Sequence, residues 1–276
     1  MLDAICVKGF KDKFLKAFIS TPGGKEHYPN KYVEGMKKGV WDSFVWGDRP
    51  LVIQGILRGC EDFIWECQKR NHPYYYLDHA YFHATRDYRE GEFGVLYRVN
   101  YSEMNTSTIL ELSTEDYARI QKYKPIPQNP RQPNTEHILV FPPTKASARI
   151  YNVREDWNSF IERKIRKYTD REIIFRKKGT KTPLRDQLKN CHAVVSINST
   201  AAVEAVLAGV PSFTTEYSPA GAVSNKAFQN IETPWFPDKD LITRWVDSLL
   251  ATQFTFEEIK NGTAYEAVTR LYGAQQ

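Results

Sequence analysis

The sequence has no run approaching about 18 consecutive apolar residues, so no stretch of it reads as a membrane span. Its opening residues, MLDAICVKGFKDKF, lack the basic, long apolar and small-residue zones of a secretory leader, and a cytoplasmic location is expected. Cysteine is scarce. Cys6, Cys60, Cys67 and Cys191 form no CxxC pair and have no histidine at ligand spacing, which argues against a zinc framework and predicts reduced, buried thiols. No DxD carboxylate pair ends a strand-like run, and Asp238-Lys239-Asp240 falls at a helix start, where it reads as a cap. Internal repeats and low-complexity tracts are also missing, which excludes solenoids and disordered tails.

What is present is an ordinary globular composition, 41% hydrophobic and 26% charged over 276 residues, enough for two modest domains. The net charge of +5 is unevenly placed. Between Lys145 and Lys189 stand fourteen Lys and Arg against six Asp and Glu, which leaves the remainder slightly acidic. Such an excess is a candidate surface for phosphates or polyanions. Arg163, Lys164, Arg166 and Lys167 within it have the simpler reading of a solvated helix face.

Short apolar runs at Ala4 to Gly9, Pro50 to Ile56 and Tyr74 to Asp78 have the length and composition of buried strands. Between the last two, Phe63, Ile64 and Cys67 recur at helical spacing, giving the strand, helix, strand order that builds a parallel sheet. Ser113 followed by Asp116 is a capping signature for a helix to Tyr123. The stretch KPIPQNPRQPNTE then carries four prolines and sustains neither helix nor sheet. The expected organisation is therefore an N-terminal α/β domain over 1–125, a linker over 126–136 and a C-terminal α/β domain over 137–276. In the second domain the strands HILVFPP, EIIF and AVVS each feed a helix, which predicts a doubly covered parallel sheet, and helices over Asp240 to Ala251 and Thr255 to Leu271 are expected to pack at its end.

The stretch AVVSINSTAAVEAVLAG is the most informative. A buried strand ends in Ser196, Asn198, Ser199 and Thr200, and a helix begins at once. Small residues admit a ligand close to the backbone, and the helix start favours a phosphate. Ser199 also has the plainer reading of an N-cap, and Glu204, one turn on, reads either as a ribose contact or as a solvent-facing residue. Arg176 and Lys178 end the preceding strand at the same sheet edge and Lys145 follows the strand before it, so all three are candidate phosphate contacts. In the first domain Asp78 ends a strand and can act as a base toward a hydroxyl, with His79 and His83 as further candidates and the capping of a turn as the structural reading. Arg98, framed by Tyr97 and Tyr101, is a candidate contact for the acceptor or for the donor phosphate. The aromatics Tyr74, Tyr75, Tyr76, Tyr81, Phe82 and Tyr88 read as core sooner than as a stacking platform.

The succession R-x-K, S-x-N-S-T-A-x-x-E-A and G-V-P resembles the nucleotide-sugar-binding domain of GT-B glycosyltransferases, especially capsule-polysaccharide-type transferases and their bacteriophage relatives, over Glu136 to Leu271. A second patch, YYYLDHAYF with LYRVNYSEMN, is similar to a D-x-G-Y-F and Y-R-x-x-x-N pattern of the phage members, with His79-Ala80 where the pattern has a glycine. The resemblance implies two Rossmann-like domains facing each other across a cleft. It implies an inverting, metal-independent transfer from a nucleoside-diphosphate sugar, UDP-linked, with no other cofactor. Arg176, Lys178, Ser196, Asn198, Ser199, Thr200, Glu204 and Glu216 are then donor contacts, with Tyr217 and Ser218 beside them; Asp78 and His79 are catalytic. The local basic excess adds an expectation that the acceptor is a hydroxymethylated base in phage DNA, with the enzyme in the host cytoplasm. A surface polysaccharide is the alternative acceptor, and a nucleotide-sugar epimerase and a non-catalytic DNA-binding protein are the rival classes.

Overall fold

A computed structural model describes residues 1–6, 13–27, 44–82, 95–130 and 136–273. The first half contains β1 (Leu2–Ile5), α1 (Lys13–Ser20), β2 (Gly24–His27), β3 (Leu51–Gln54), α2 (Cys60–Arg70), β4 (Tyr74–His79), β5 (Leu96–Tyr101) and α3 (Thr114–Ile120). The second contains β6 (His137–Phe141), α4 (Lys145–Ile150), α5 (Trp157–Ile165), β7 (Glu172–Phe175), α6 (Leu184–Gln187), β8 (Cys191–Ser196), α7 (Ala201–Leu207), β9 (Ser212–Phe213) and α8 (Lys239–Ala251). The chain ends with β10 (Gln253–Thr255), α9 (Phe256–Lys260) and α10 (Thr263–Leu271).

These strands form two sheets, ordered β10-β5-β4-β3-β1-β2 and β7-β6-β8-β9. The second is wholly parallel; the first has a parallel body, with β5 antiparallel to its neighbours β4 and β10. Each is a Rossmann-like layer. The buried runs Leu51 to Ile53 and Ile138 to Val140 are apolar on both faces because helices cover both. The expected capping box is present, Ser113 Oγ accepting from Asp116 N while the Asp116 carboxylate accepts from Ser113 N. The exposed cations of α5 are also as expected: Trp157, Ile161 and Ile165 are buried against the second sheet, and Arg163, Lys164, Arg166 and Lys167 stay in solvent. All four cysteines are buried thiols outside any disulfide. Among the described residues, no helix is long and apolar enough to cross a membrane.

The end of the chain departs from the expected organisation. Residues after Ala251 return to the first sheet: β10 pairs antiparallel with β5, and Phe254, Ile259, Ala264 and Val268 join the core beneath β1, β3 and β4. The reason is an unpaired sheet edge. Strand β5 offers its outer N–H and C=O groups, and the short run Gln253–Thr255 satisfies them. The single helix expected over Thr255 to Leu271 is broken at Gly262, whose φ of +92° suits glycine. A side chain there would also meet Thr21 Cγ2 at 2.7 Å. Between the two layers one apolar cluster is continuous, joining Ala80, Tyr81, Phe82 and Leu96 of the first half to Leu139, Phe141, Val194 and Val206 of the second.

Candidate functional site

Alternation along β4 points Tyr74, Tyr76 and Asp78 to one face, and the antiparallel register sets Arg98 of β5 directly opposite Asp78. Arg98 Nη2 donates to Asp78 Oδ2 at 3.1 Å, and the Tyr76 hydroxyl donates to the same oxygen at 2.6 Å. Asp78 Oδ1 accepts from the His79 backbone N–H at 2.8 Å. Three of roughly four lone-pair directions of the carboxylate are thus occupied, and the side chain keeps 26% exposure through which a further donor can approach. The Arg98 guanidinium lies over the rings of Tyr76 and Tyr81, 5.5 and 5.0 Å from their centroids. Burial pushes both tyrosine hydroxyls above their ordinary range, so they stand as neutral donors. Burial opposes the Arg98 charge, which the Asp78 carboxylate and the π-faces of Tyr81 and Tyr76 support.

In the second sheet the strand order reverses on either side of β6, which places the switch point between the carboxyl ends of β6 and β8. Open parallel sheets bind ligands at that place. The segments that flank it are 142–145, with exposed Lys145, and 197–200, where Asn198, Ser199 and Thr200 are all half-buried. The turn from β8 to α7 is therefore reachable. Within it Ser199 Oγ accepts from Ala201 N at 3.2 Å, but the N-cap of α7 is Thr200, one residue on from where the sequence placed it. Ser196, expected as a donor contact, is buried, and its hydroxyl accepts from Ser199 N at 3.4 Å. Its hydroxyl serves the turn.

Asn198 ties the β8–α7 turn to α4. Its Oδ1 accepts from Ser147 Oγ of α4 at 2.9 Å, and its side chain also bonds the Tyr151 hydroxyl, which stands within the field of Arg98, Tyr81 and Glu103. Tyr151 in turn stacks on Tyr217 with centroids 5.5 Å apart, and Tyr217 O accepts from Asn105 Nδ2 at 3.2 Å. Arg149 of α4 pairs with Asp62 of α2 at 2.5 Å. At Gly221 the backbones of the two halves nearly touch. An added Cβ would lie 2.8 Å from Glu216 O and 3.2 Å from Ser107 O, so only glycine lets these loops approach.

The structure therefore pairs Asp78 with Arg98, while Asn198 reaches toward them only through Tyr151, which lies in the field of Arg98. His79 is exposed at the end of β4, Glu204 is exposed on α7 and Glu216 is exposed beside Tyr217. Arg176 and Lys178 follow β7, with β6 between them and β8. At about 4.8 Å per strand this sets them roughly 10 Å from the β8–α7 turn. Arg176 is further committed, donating to Thr182 O at 2.8 Å and to the Gln187 side chain. Ser218 is fully buried, and its hydroxyl accepts from Ala220 N. The candidate His83 lies outside the described residues. Among the described residues, no group of three or more His, Cys, Asp or Glu is gathered as a metal site.

Sequence reasoning missed Tyr151, Tyr217 as its partner, and Glu103. Burial pushes the Glu103 carboxyl up to about 7, against hydrogen bonds from Tyr272 and Ser107 that favour its charge. The only signal for it was its place just beyond the strand LYRVNY.

No protein-family model matches the chain, and no curated protein matches it in sequence. Solved structures do. A Thermosulfurimonas dismutans KpsC described as a beta Kdo 2,7 transferase matches over 98% of this chain and 99% of its own, with a TM-score of 0.52 and 12% identity. The beta Kdo 2,4 transferase of KpsC from the same organism matches over 96% and 98%, with a TM-score of 0.50 and 11% identity. The fold is that of these glycosyltransferases. At such identity the likeness reaches the backbone plan and no further.

Proposed function

We propose that the protein is a glycosyltransferase that moves a sugar from a nucleotide-sugar donor to a hydroxyl of a saccharide acceptor. One observation carries this reading: the Asp78–Arg98 pair of the first sheet faces, through Tyr151, the open turn at Asn198 beside the switch point of the second. A donor seated at that turn, with its phosphates near Lys145, Ser199 and Thr200, presents its anomeric carbon to the first sheet. Asp78, in the role of base, takes the proton of the acceptor hydroxyl as that oxygen attacks the anomeric carbon and the bond to the nucleotide phosphate breaks. Such a direct displacement inverts the anomeric centre, and the NMR-determined anomer of the product tests it. A UDP-linked donor and independence of added metal belong to the same proposal; unchanged rates in EDTA are the expected result.

The acceptor is where geometry changes the sequence-based expectation. A base in DNA drew support from the basic excess between Lys145 and Lys189, but four of its fourteen cations, Arg163, Lys164, Arg166 and Lys167, are exposed on and just after α5, which covers the opposite side of the second sheet from the cluster that joins the two halves. Both solved neighbours are Kdo transferases by name, which favours a saccharide acceptor. The test is incubation with a panel of nucleoside mono- and diphosphate sugars, offered with oligosaccharides and with hydroxymethylated DNA, read by mass spectrometry. A glycosylated oligosaccharide is expected. Label appearing on DNA alone would overturn the acceptor, and an isomerised donor in the absence of acceptor would point to an epimerase.

A further inference from the structure

Arg98 is held by a site that leaves much of it unanswered. Its side chain is 8% exposed, and Nη2 meets Asp78, yet Nε and Nη1 are buried with no hydrogen-bond partner among the described residues. The Tyr76 and Tyr81 rings offer π-faces to the cation, 5.5 and 5.0 Å from it. Nor can the walls move aside easily. The Tyr81 hydroxyl accepts from Thr106 N at 2.9 Å, and the backbone N–H groups of Tyr81 and Phe82 donate to Gln253 Oε1. Orphaned donors on a buried cation are costly. A fold that fixes them rigidly is preorganised for an acceptor that arrives from outside. Nη2 shares one edge of the guanidinium with Nε and the other with Nη1, so a pair of oxygens on one phosphorus or one carbon arriving on either edge answers an orphaned N–H together with the second N–H of Nη2.

We infer that Arg98 is the receptor for a substrate oxyanion, a phosphate or a carboxylate, so that the site selects substrates carrying an acidic group beside the reacting sugar. The inference deepens the transferase reading, on which it rests only for the identity of the molecule that carries the anion. Two sources share this chemistry, the donor's phosphate and the carboxylate of an acidic sugar.

The full chain is titrated with sodium pyrophosphate, sodium glucuronate and, as neutral control, glucose, by calorimetry and by following the Arg98 Nε–H signal in ¹H–¹⁵N spectra. At least one anion should bind more tightly than glucose and shift that signal. Binding of pyrophosphate alone assigns the anion to the nucleotide, of glucuronate alone to the sugar. Arg98→Lys keeps the charge and loses the fork, and should weaken binding about 10- to 100-fold. Asp78→Asn, which removes the competing carboxylate at nearly constant shape, should tighten it and keeps the question answerable if the lysine variant does not fold. Equal binding of anions and glucose, an unmoved Nε–H signal, or weaker anion binding in Asp78→Asn would each overturn the inference. Turnover is not measured, so anion binding through Arg98 without sugar transfer to any acceptor counts against the transferase reading alone.

Discussion

Replacing Glu103 by glutamine should make the protein more stable at alkaline pH and leave it almost unchanged in acid. Burial lifts this carboxyl from 4.5 to about 7, so between those values the native state holds a proton that the unfolded chain releases. Its contribution is fully present below about pH 4.5 and is lost as pH rises through 7. A gap of about 2.5 pH units at 1.36 kcal/mol per unit amounts to about 3 kcal/mol at pH 8 and above. Glutamine preserves the local bonds. Its Oε1 accepts from the Tyr272 hydroxyl, and its amide can donate to Ser107 Oγ, which now donates to the carboxylate at 3.0 Å. The assay is urea unfolding followed by circular dichroism from pH 5 to pH 9. The stability advantage of the variant should grow from under about 1 kcal/mol at the acid end to about 3 kcal/mol at the alkaline end. Parallel wild-type and variant profiles across that range would refute the reasoning, because they would place the carboxyl in water.

Asp78→Asn should lower turnover about 10²- to 10⁴-fold, the range of a lost general base, while donor affinity measured by calorimetry stays within a few-fold; unaltered turnover removes Asp78 from that role. Gln253→Leu strands two backbone N–H groups, of Tyr81 and Phe82, and should cost about 1–3 kcal/mol in urea unfolding and slow transfer by loosening the Tyr81 wall of the Arg98 site. Phe254→Ala empties a fully buried site in the returning strand and should cost about 3–5 kcal/mol by the same measurement. Gly221→Ala should leave secondary structure intact by circular dichroism but reduce activity, since its methyl group pushes the loop bearing Tyr217 away from Ser107.

The alternation of strands and helices was legible because each buried strand is a compact apolar run and each helix carries its own caps. Ser113 with Asp116 and Asp238 before Leu241 are local signals, and both behave as local signals should. The helix α4 was not read, although Thr144 caps it by accepting from Ser147 N, because six residues give too short a window for periodicity. Asp78 and Arg98 were each singled out, but as separate candidates. Their pairing depends on the register of two antiparallel strands, and no local pattern in the intervening segment sets that register. The expected cluster of cations around the β8–α7 turn failed for a similar reason. Reading the strand ends places Arg176 and Lys178 at the correct edge, but strand order within the sheet, a non-local property, puts β6 between them and the turn. Glu103 is the extreme case. Its titration is set by burial among Tyr272, Ser107 and neighbours from distant parts of the chain, none of which is visible in SEMN.

The returning C-terminal segment links these observations physically. The strand Gln253–Thr255 lies in a segment expected to belong to the second domain; by adding to the first sheet it does two things at once. It removes an exposed edge at β5, and its Gln253 side chain reaches Tyr81, the residue whose ring covers Arg98. Arg119 of α3 then fastens the same turn, donating to Gln253 O at 2.8 Å and Ala251 O at 2.6 Å with its guanidinium over the Phe254 ring. The α8–β10 turn is thus a strut between the two layers: α8 packs with the second sheet's cluster, β10 with the first sheet. Any change in the angle between the layers must bend this strut or break its hydrogen bonds, and either outcome is transmitted through Gln253 to the walls around Arg98.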